Sequence, residues 1–167
     1  MPKKMNILPF YNKIVSLTRK YYFYNNFKLS DTFSSRINLI FFHLSFILII
    51  LRKKRVNKEF SQDIFDFFFK QIEINLRELG YADTSISKKM RLLIAIFYDI
   101  LIKSMNWKYY EINKKKELLI NYFEHNTENK ILYNSLVDYF NKFTLFLEDI
   151  SLNSLLKGVF NFDYKDK

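Results

Sequence analysis

A chain of 167 residues with 49% apolar and 19% aromatic content has enough hydrophobic side chain for one folded core and falls outside the disordered class. Two glycines and two prolines supply few tight turns, which disfavours a β architecture and favours long helices with few connections. No cysteine is present, which removes disulfides, thiolate metal sites and cysteine nucleophiles. The net charge of +10 calls for an anionic partner or a solubilising surface.

That charge is unevenly placed. Residues 1–60 hold twelve Lys/Arg against two Asp/Glu, and residues 61–167 hold fifteen of each. The excess lies in the first third, as expected for contact with a lipid surface, ribosomal RNA, or both. Lys3 and Lys4 precede no apolar run of signal-peptide length, so a secretory signal is not expected.

In chain order, a first helix is expected from about Ile7 to Tyr22. A polar break follows at Asn25-Asn26, and Ser30-Asp31-Thr32 offers capping side chains for the next helix. Residues Ile37 to Leu51 form an almost unbroken apolar run, closed by Arg52, Lys53, Lys54 and Arg55. A membrane span needs about 20 apolar residues. This shorter run also contains Asn38, His43 and Ser45, so a buried core helix is preferred over an interfacial helix or a span. From Glu59 to Leu79 the apolar residues Ile64, Phe65, Phe68, Ile72, Leu76 and Leu79 fall at helical spacing, and Gly80 suits a left-handed stop.

Ser85 or Ser87 could cap a fourth helix with the stripe Met90, Leu93, Ile94, Phe97 and Leu101. A fifth is expected from Tyr109 to Phe123, with Leu118, Leu119, Tyr122 and Phe123 inward and a break at Asn126-Thr127. The last long helix shows Leu132, Leu136, Phe140, Phe143 and Leu147. A short segment, Leu152 to Leu156, ends at Gly158. The fold class is therefore all-α, one irregular bundle of about six helices.

Chemical motifs are few. His43 and His125 are the only histidines and no cysteine accompanies them, so no metal is expected and His43 reads as a satisfied core histidine. No phosphate-binding glycine loop or nucleophile elbow occurs. Asp63 and Asp66 lie three apart on one helix and read as a solvated face. Lys88, Lys89 and Arg91 form a basic patch at a helix start, where cations oppose the helix dipole. The segment Arg19-Lys20-Tyr21-Tyr22-Phe23-Tyr24 interleaves aromatics with cations and could stack on bases. Composition, charge and motifs thus point to a basic helical domain that binds something anionic or apolar. A nucleic-acid or ribosome-binding module is the alternative, and a small helical lipid enzyme a more remote one.

The order of motifs adds a resemblance. Phe27-Lys28-Leu29-Ser30-Asp31-Thr32-Phe33-Ser34-Ser35-Arg36, running on to Leu39 and His43-Leu44, resembles the opening motif of the ubiquinol–cytochrome c chaperone family. Ser30 stands where that family usually has proline, and Phe42 where it usually has leucine. Leu76-Arg77-Glu78-Leu79-Gly80, then Asp83 and Ser87-Lys88-Lys89-Met90, is similar to the family's Leu-Arg-Glu-Met-Gly segment and the Lys-rich helix start after it. Phe97-Tyr98 resembles the next aromatic pair, with Asp99-Ile100 where bacterial members often carry Gly-Arg. Leu136-Val137-Asp138-Tyr139, then Leu155-Leu156-Lys157-Gly158 and Phe160, resembles the closing pattern.

The resemblance spans about residues 20–162 and leaves residues 1–19 as a helical N-terminal extension of a single domain. It implies an all-helical fold, no catalysis and no cofactor. It also implies a role in assembling ubiquinol–cytochrome c reductase (complex III) by stabilising newly made cytochrome b. The implied place is the cytoplasmic face of the inner membrane, or the matrix side in a mitochondrion, with the ribosome as a further partner and no small-molecule substrate. By resemblance, client or partner contacts would fall to Asp31, Arg36, His43, Arg77, Glu78, Asp83, Lys88, Lys89 and Tyr98. Arg52, Lys53, Lys54 and Arg55 would face the membrane or RNA, and Gly80 and Gly158 would serve as structural turns.

Overall fold

A computed structural model describes residues 4–123 and 131–165. Among them are eight α-helices and one 3-10 turn: α1 (Leu8–Thr18), α2 (Tyr21–Asn25), α3 (Phe33–Lys53), α4 (Lys58–Glu78), α5 (Asp83–Ser104), the 3-10 turn Trp107–Tyr109, α6 (Ile112–Ile120), α7 (Tyr133–Asp149) and α8 (Leu152–Leu156). The described residues contain no strand. The all-α bundle expected from composition is what the described residues form, with eight helices where about six were expected.

α3 is the axis. It packs against α1, α4, α5 and α7, while α6 packs on α7. Its start is set by Thr32, whose hydroxyl accepts from the Ser35 amide at 3.1 Å, the side-chain cap expected from the Ser30-Asp31-Thr32 stretch. By length and composition α3 could cross a membrane, yet 78% of its most apolar window is buried within the fold. Phe41, Phe42, Leu44, Ile47 and Leu51 all sit at zero exposure. A helix that is apolar all round and wrapped by neighbours is the signature of a protein core.

Four expectations are corrected. The first helix stops at Thr18, and Lys20 is extended before α2 begins. An unbroken helix would carry Tyr21, four residues after buried Leu17, toward the core; the break leaves Tyr21 72% exposed and turns Phe23 and Phe27 inward instead. α5 starts at Asp83, ahead of the proposed Ser85 or Ser87 cap, and its N-cap Ala82 provides no side-chain bond. Leu79 and Leu132 lie at helix ends and are exposed, not inward. The helix expected from Tyr109 to Phe123 is confined to Ile112–Ile120, with a 3-10 turn before it. The break placed at Asn126-Thr127 lies outside the described residues, as does His125.

The N-terminal helix is not an appendage, because Phe10, Ile14 and Leu17 are buried against α3 and its neighbours. At the other end, Phe160, Phe162 and Tyr164 are buried while residues 159, 161, 163 and 165 are exposed. That period of two marks an extended segment laid along the bundle. Phe162 meets Tyr139 and Phe143 with ring centroids 5.4 and 5.2 Å apart, and Tyr164 meets Tyr22 and Phe27 at 5.5 and 5.6 Å.

Three helix ends share one closure. After α4 the Gly80 amide donates to the Arg77 carbonyl and Tyr81 to Leu76; after α8 Gly158 donates to Leu155 and Val159 to Ser154; after α3 Arg55 donates to Arg52 and Val56 to Leu51. The residue at the bend needs positive φ, and the values are +88° at Gly80, +67° at Gly158 and +58° at Arg55. Two of the three ends use glycine. The third places an arginine where a side chain costs about 1–2 kcal/mol.

Candidate functional site

Two grooves adjoin along the C-terminal half of α3. The larger, about 610 Å³, has an apolar floor of Leu48, Ile49, Val56, Phe65, Phe97 and Leu101 and a rim that includes Arg52, Arg55 and Lys58. The smaller, about 220 Å³, continues past Ile49 and Met105 to Trp107, Tyr109, Leu145 and Glu148. Ile49 and Met105 line both.

The apolar surface extends out of the grooves. Tyr98, Ile102 and Met105 follow at spacings of four and three, on one face of α5. They are 44%, 65% and 45% exposed, and nearby Tyr109 and Leu145 are 82% and 59% exposed. Single exposed apolar side chains are ordinary, whereas a contiguous set marks an interaction surface.

Of the residues singled out by resemblance, Tyr98 lies in this region. Its ring stands 5.6 Å from Phe65 and lines the larger groove. Arg77 is engaged at the α4–α5 junction. It donates to Glu73 at 2.9 Å and, through its other terminal nitrogen, to Asp83, and both bonds raise its already high pKa. Glu78 is exposed beside it. Lys88 is exposed, and the Lys89 ammonium sits 4.5 Å above the Tyr81 ring. Asp31 and Arg36 form a separate exposed ion pair at 2.7 Å across the start of α3, where the guanidinium holds the Asp31 carboxyl below its usual range.

His43 has no exposed surface, so the client contact assigned to it by resemblance finds no route to a partner in this structure. Its Nδ1 lies 2.6 Å from the Leu39 carbonyl and its Nε2 2.7 Å from the Tyr139 hydroxyl. A carbonyl can only accept, so Nδ1 carries the proton and Nε2 accepts from Tyr139. Rings of Phe23, Phe140 and Phe143 enclose the imidazole, and burial pushes its pKa down to about 4. It is the satisfied core histidine the sequence suggested. Among the described residues no group of three or more His, Asp and Glu converges on a metal-sized site.

The basic cluster divides. Lys53 reaches Glu148 at 3.4 Å and Lys54 donates to the Ile150 carbonyl at 2.8 Å, tying the end of α3 to the end of α7. Arg52 and Arg55 turn to the larger groove and are joined there by Lys58, which the sequence reading left out. Asp99 was likewise missed as a contact. It accepts from the Tyr122 hydroxyl, and from Lys103 at 2.9 Å. Those bonds lower its pKa, while burial and Asp99 itself push Tyr122 up to about 12. Asp99 therefore fastens α5 to the segment following α6.

The profile of the ubiquinol-cytochrome C chaperone family matches residues 25–109, from the turn before α3 to the 3-10 turn. The chain belongs to that family. This chaperone-family chain carries the larger groove and all nine resemblance residues within the matched span. Among solved structures it is similar to the Cbp3 homolog from Brucella abortus, at 26% identity and a TM-score of 0.75, over 96% of this chain and 88% of that one. Comparison with curated proteins finds no match.

Proposed function

We propose that the protein is a non-enzymatic assembly chaperone that holds newly made cytochrome b during construction of complex III, working peripherally on an anionic membrane surface. The observation that carries the reading is the exposed apolar face of Tyr98, Ile102, Met105, Tyr109 and Leu145 on a member of this chaperone family. Cytochrome b is a bundle of apolar helices that aggregates when unpaired in water, and a holding protein must offer such a face. The basic first third supplies attraction to the membrane, each Lys or Arg near an anionic leaflet contributing roughly 1 kcal/mol.

The test is complementation of a deletion strain with Ile102→Asp, read by b-type haem spectra and by co-purification of cytochrome b with the tagged protein. Ile102 is exposed, so the variant should keep its helical circular dichroism while losing the client. Full rescue would remove this face from the holding surface. Normal cytochrome b in the deletion strain would overturn the assignment.

A further inference from the structure

We infer that the larger groove is a binding site for one anionic phospholipid, its phosphate held by Arg52, Arg55 and Lys58 and an acyl chain laid over Ile49, Phe97 and Leu101. The polarity of the lining decides the chemistry. Arg52, Arg55 and Lys58 are the charged residues of the lining, the rest is apolar apart from Ser61, Gln62 and the Tyr98 hydroxyl, and no Asp or Glu is among the lining residues. That arrangement matches an amphiphile with one charged end. Among the described residues these three cations have no ion-pair partner, whereas Lys53 of the same basic run is paired with Glu148.

Size points the same way. The groove holds about 610 Å³, within the roughly 300–1,000 Å³ of small-molecule sites. A membrane-length helix 30 Å long and 10 Å across fills roughly 2,400 Å³, so the groove suits a slim chain. Arg55 adds an independent sign. It occupies the left-handed bend at φ +58°, where the other two equivalent ends carry glycine. A charged side chain is thus kept at the groove mouth in a backbone conformation that favours glycine.

The inference deepens the membrane reading above and rests on it for the source of the lipid, but the two fail separately. The probe is a fluorescent lysophosphatidylglycerol below its critical micelle concentration, titrated into the full chain, with the phosphatidylcholine analogue and glycerol phosphate as comparisons. Saturable one-to-one binding of the glycerol lipid is expected, with glycerol phosphate unable to compete. The exposed double variant Arg52→Gln/Arg55→Gly should weaken binding about thirtyfold. Ser61→Phe, which fills the groove, should abolish it with helicity retained. Lys53→Gln/Lys54→Gln should leave it unchanged.

Equal losses in both double variants, undiminished binding in Ser61→Phe, equal affinity for the choline lipid, or competition by glycerol phosphate would each overturn the lipid site. Pelleting with anionic vesicles is read in parallel. Ser61→Phe that still pellets while losing the monomeric probe supports both readings. A chain that binds the probe but does not pellet keeps the site and loses the surface attraction.

Discussion

The buried pair His43 and Tyr139 gives a stability prediction whose size follows from the structure. In the unfolded chain the imidazole titrates near 6.5, and in the fold burial pushes it down to about 4. Between those values the unfolded state binds a proton that the folded state does not, so stability falls as pH falls. The stabilisation is complete above about pH 6.5 and is lost progressively down to about pH 4. A gap of about 2.5 units at 1.36 kcal/mol each is about 3 kcal/mol, a large share of the 5–15 kcal/mol of a typical domain. Carboxylates titrate in the same range, so the comparison is made against His43→Leu/Tyr139→Phe, which removes donor and acceptor together and leaves no orphan. Denaturant unfolding at pH 7.5 and pH 4 should show wild type losing about 3 kcal/mol more than the double variant. Tyr139→Phe alone should cost about 1–3 kcal/mol at pH 7.5, because Nε2 then lacks its donor. An equal pH loss in wild type and double variant would refute the argument.

Other predictions concern the helix ends and the N-terminus. Gly80→Ala should cost about 1–2 kcal/mol in thermal unfolding from backbone conformation alone, since no atom lies within 4 Å of the added Cβ. Gly158→Ala should cost more, because its Cβ would stand 2.6 Å from the Pro9 carbonyl oxygen. Arg55→Gly should raise the melting temperature by relieving φ +58°, a gain of about 1 kcal/mol; an unchanged or lower value would deny the strain. Removing residues 1–19 deletes buried Phe10, Ile14 and Leu17, worth about 5–9 kcal/mol of burial, and should yield insoluble protein on expression. Arg77→Ala/Glu78→Ala should keep its circular dichroism, as these are exposed side chains, while lowering cytochrome b in the complementation assay.

The helical class was legible because Ile64, Phe68, Ile72 and Leu76 recur at helical spacing, and all four turn inward. Thr32 was found because capping hydroxyls are local. His43 was read correctly from its apolar surroundings, yet the tautomer depended on Tyr139, 96 residues away, which no local pattern reveals. The groove was missed for a similar reason: Arg52 and Lys58 meet Phe97 and Leu101 only after three helices pack. One signal was available. Residues 92–105 carry more apolar side chains than one stripe can bury, and the surplus at Leu92, Tyr98, Ile102 and Met105 is what stays exposed. Alternation at Phe160, Phe162 and Tyr164 was also in the sequence and marks the extended tail.

α3 raises a matter of timing during synthesis. α7, which covers one side of it, begins at Tyr133, roughly eighty residues after α3 ends at Lys53. At about 5–20 residues per second, the side of α3 that α7 covers stays open for roughly 4–16 s between synthesis of Lys53 and of Tyr133. During that interval α1, α4 and α5 are the helices that can cover α3. Slower translation between Lys53 and Tyr133 therefore lengthens the time for which that apolar face lacks its partner.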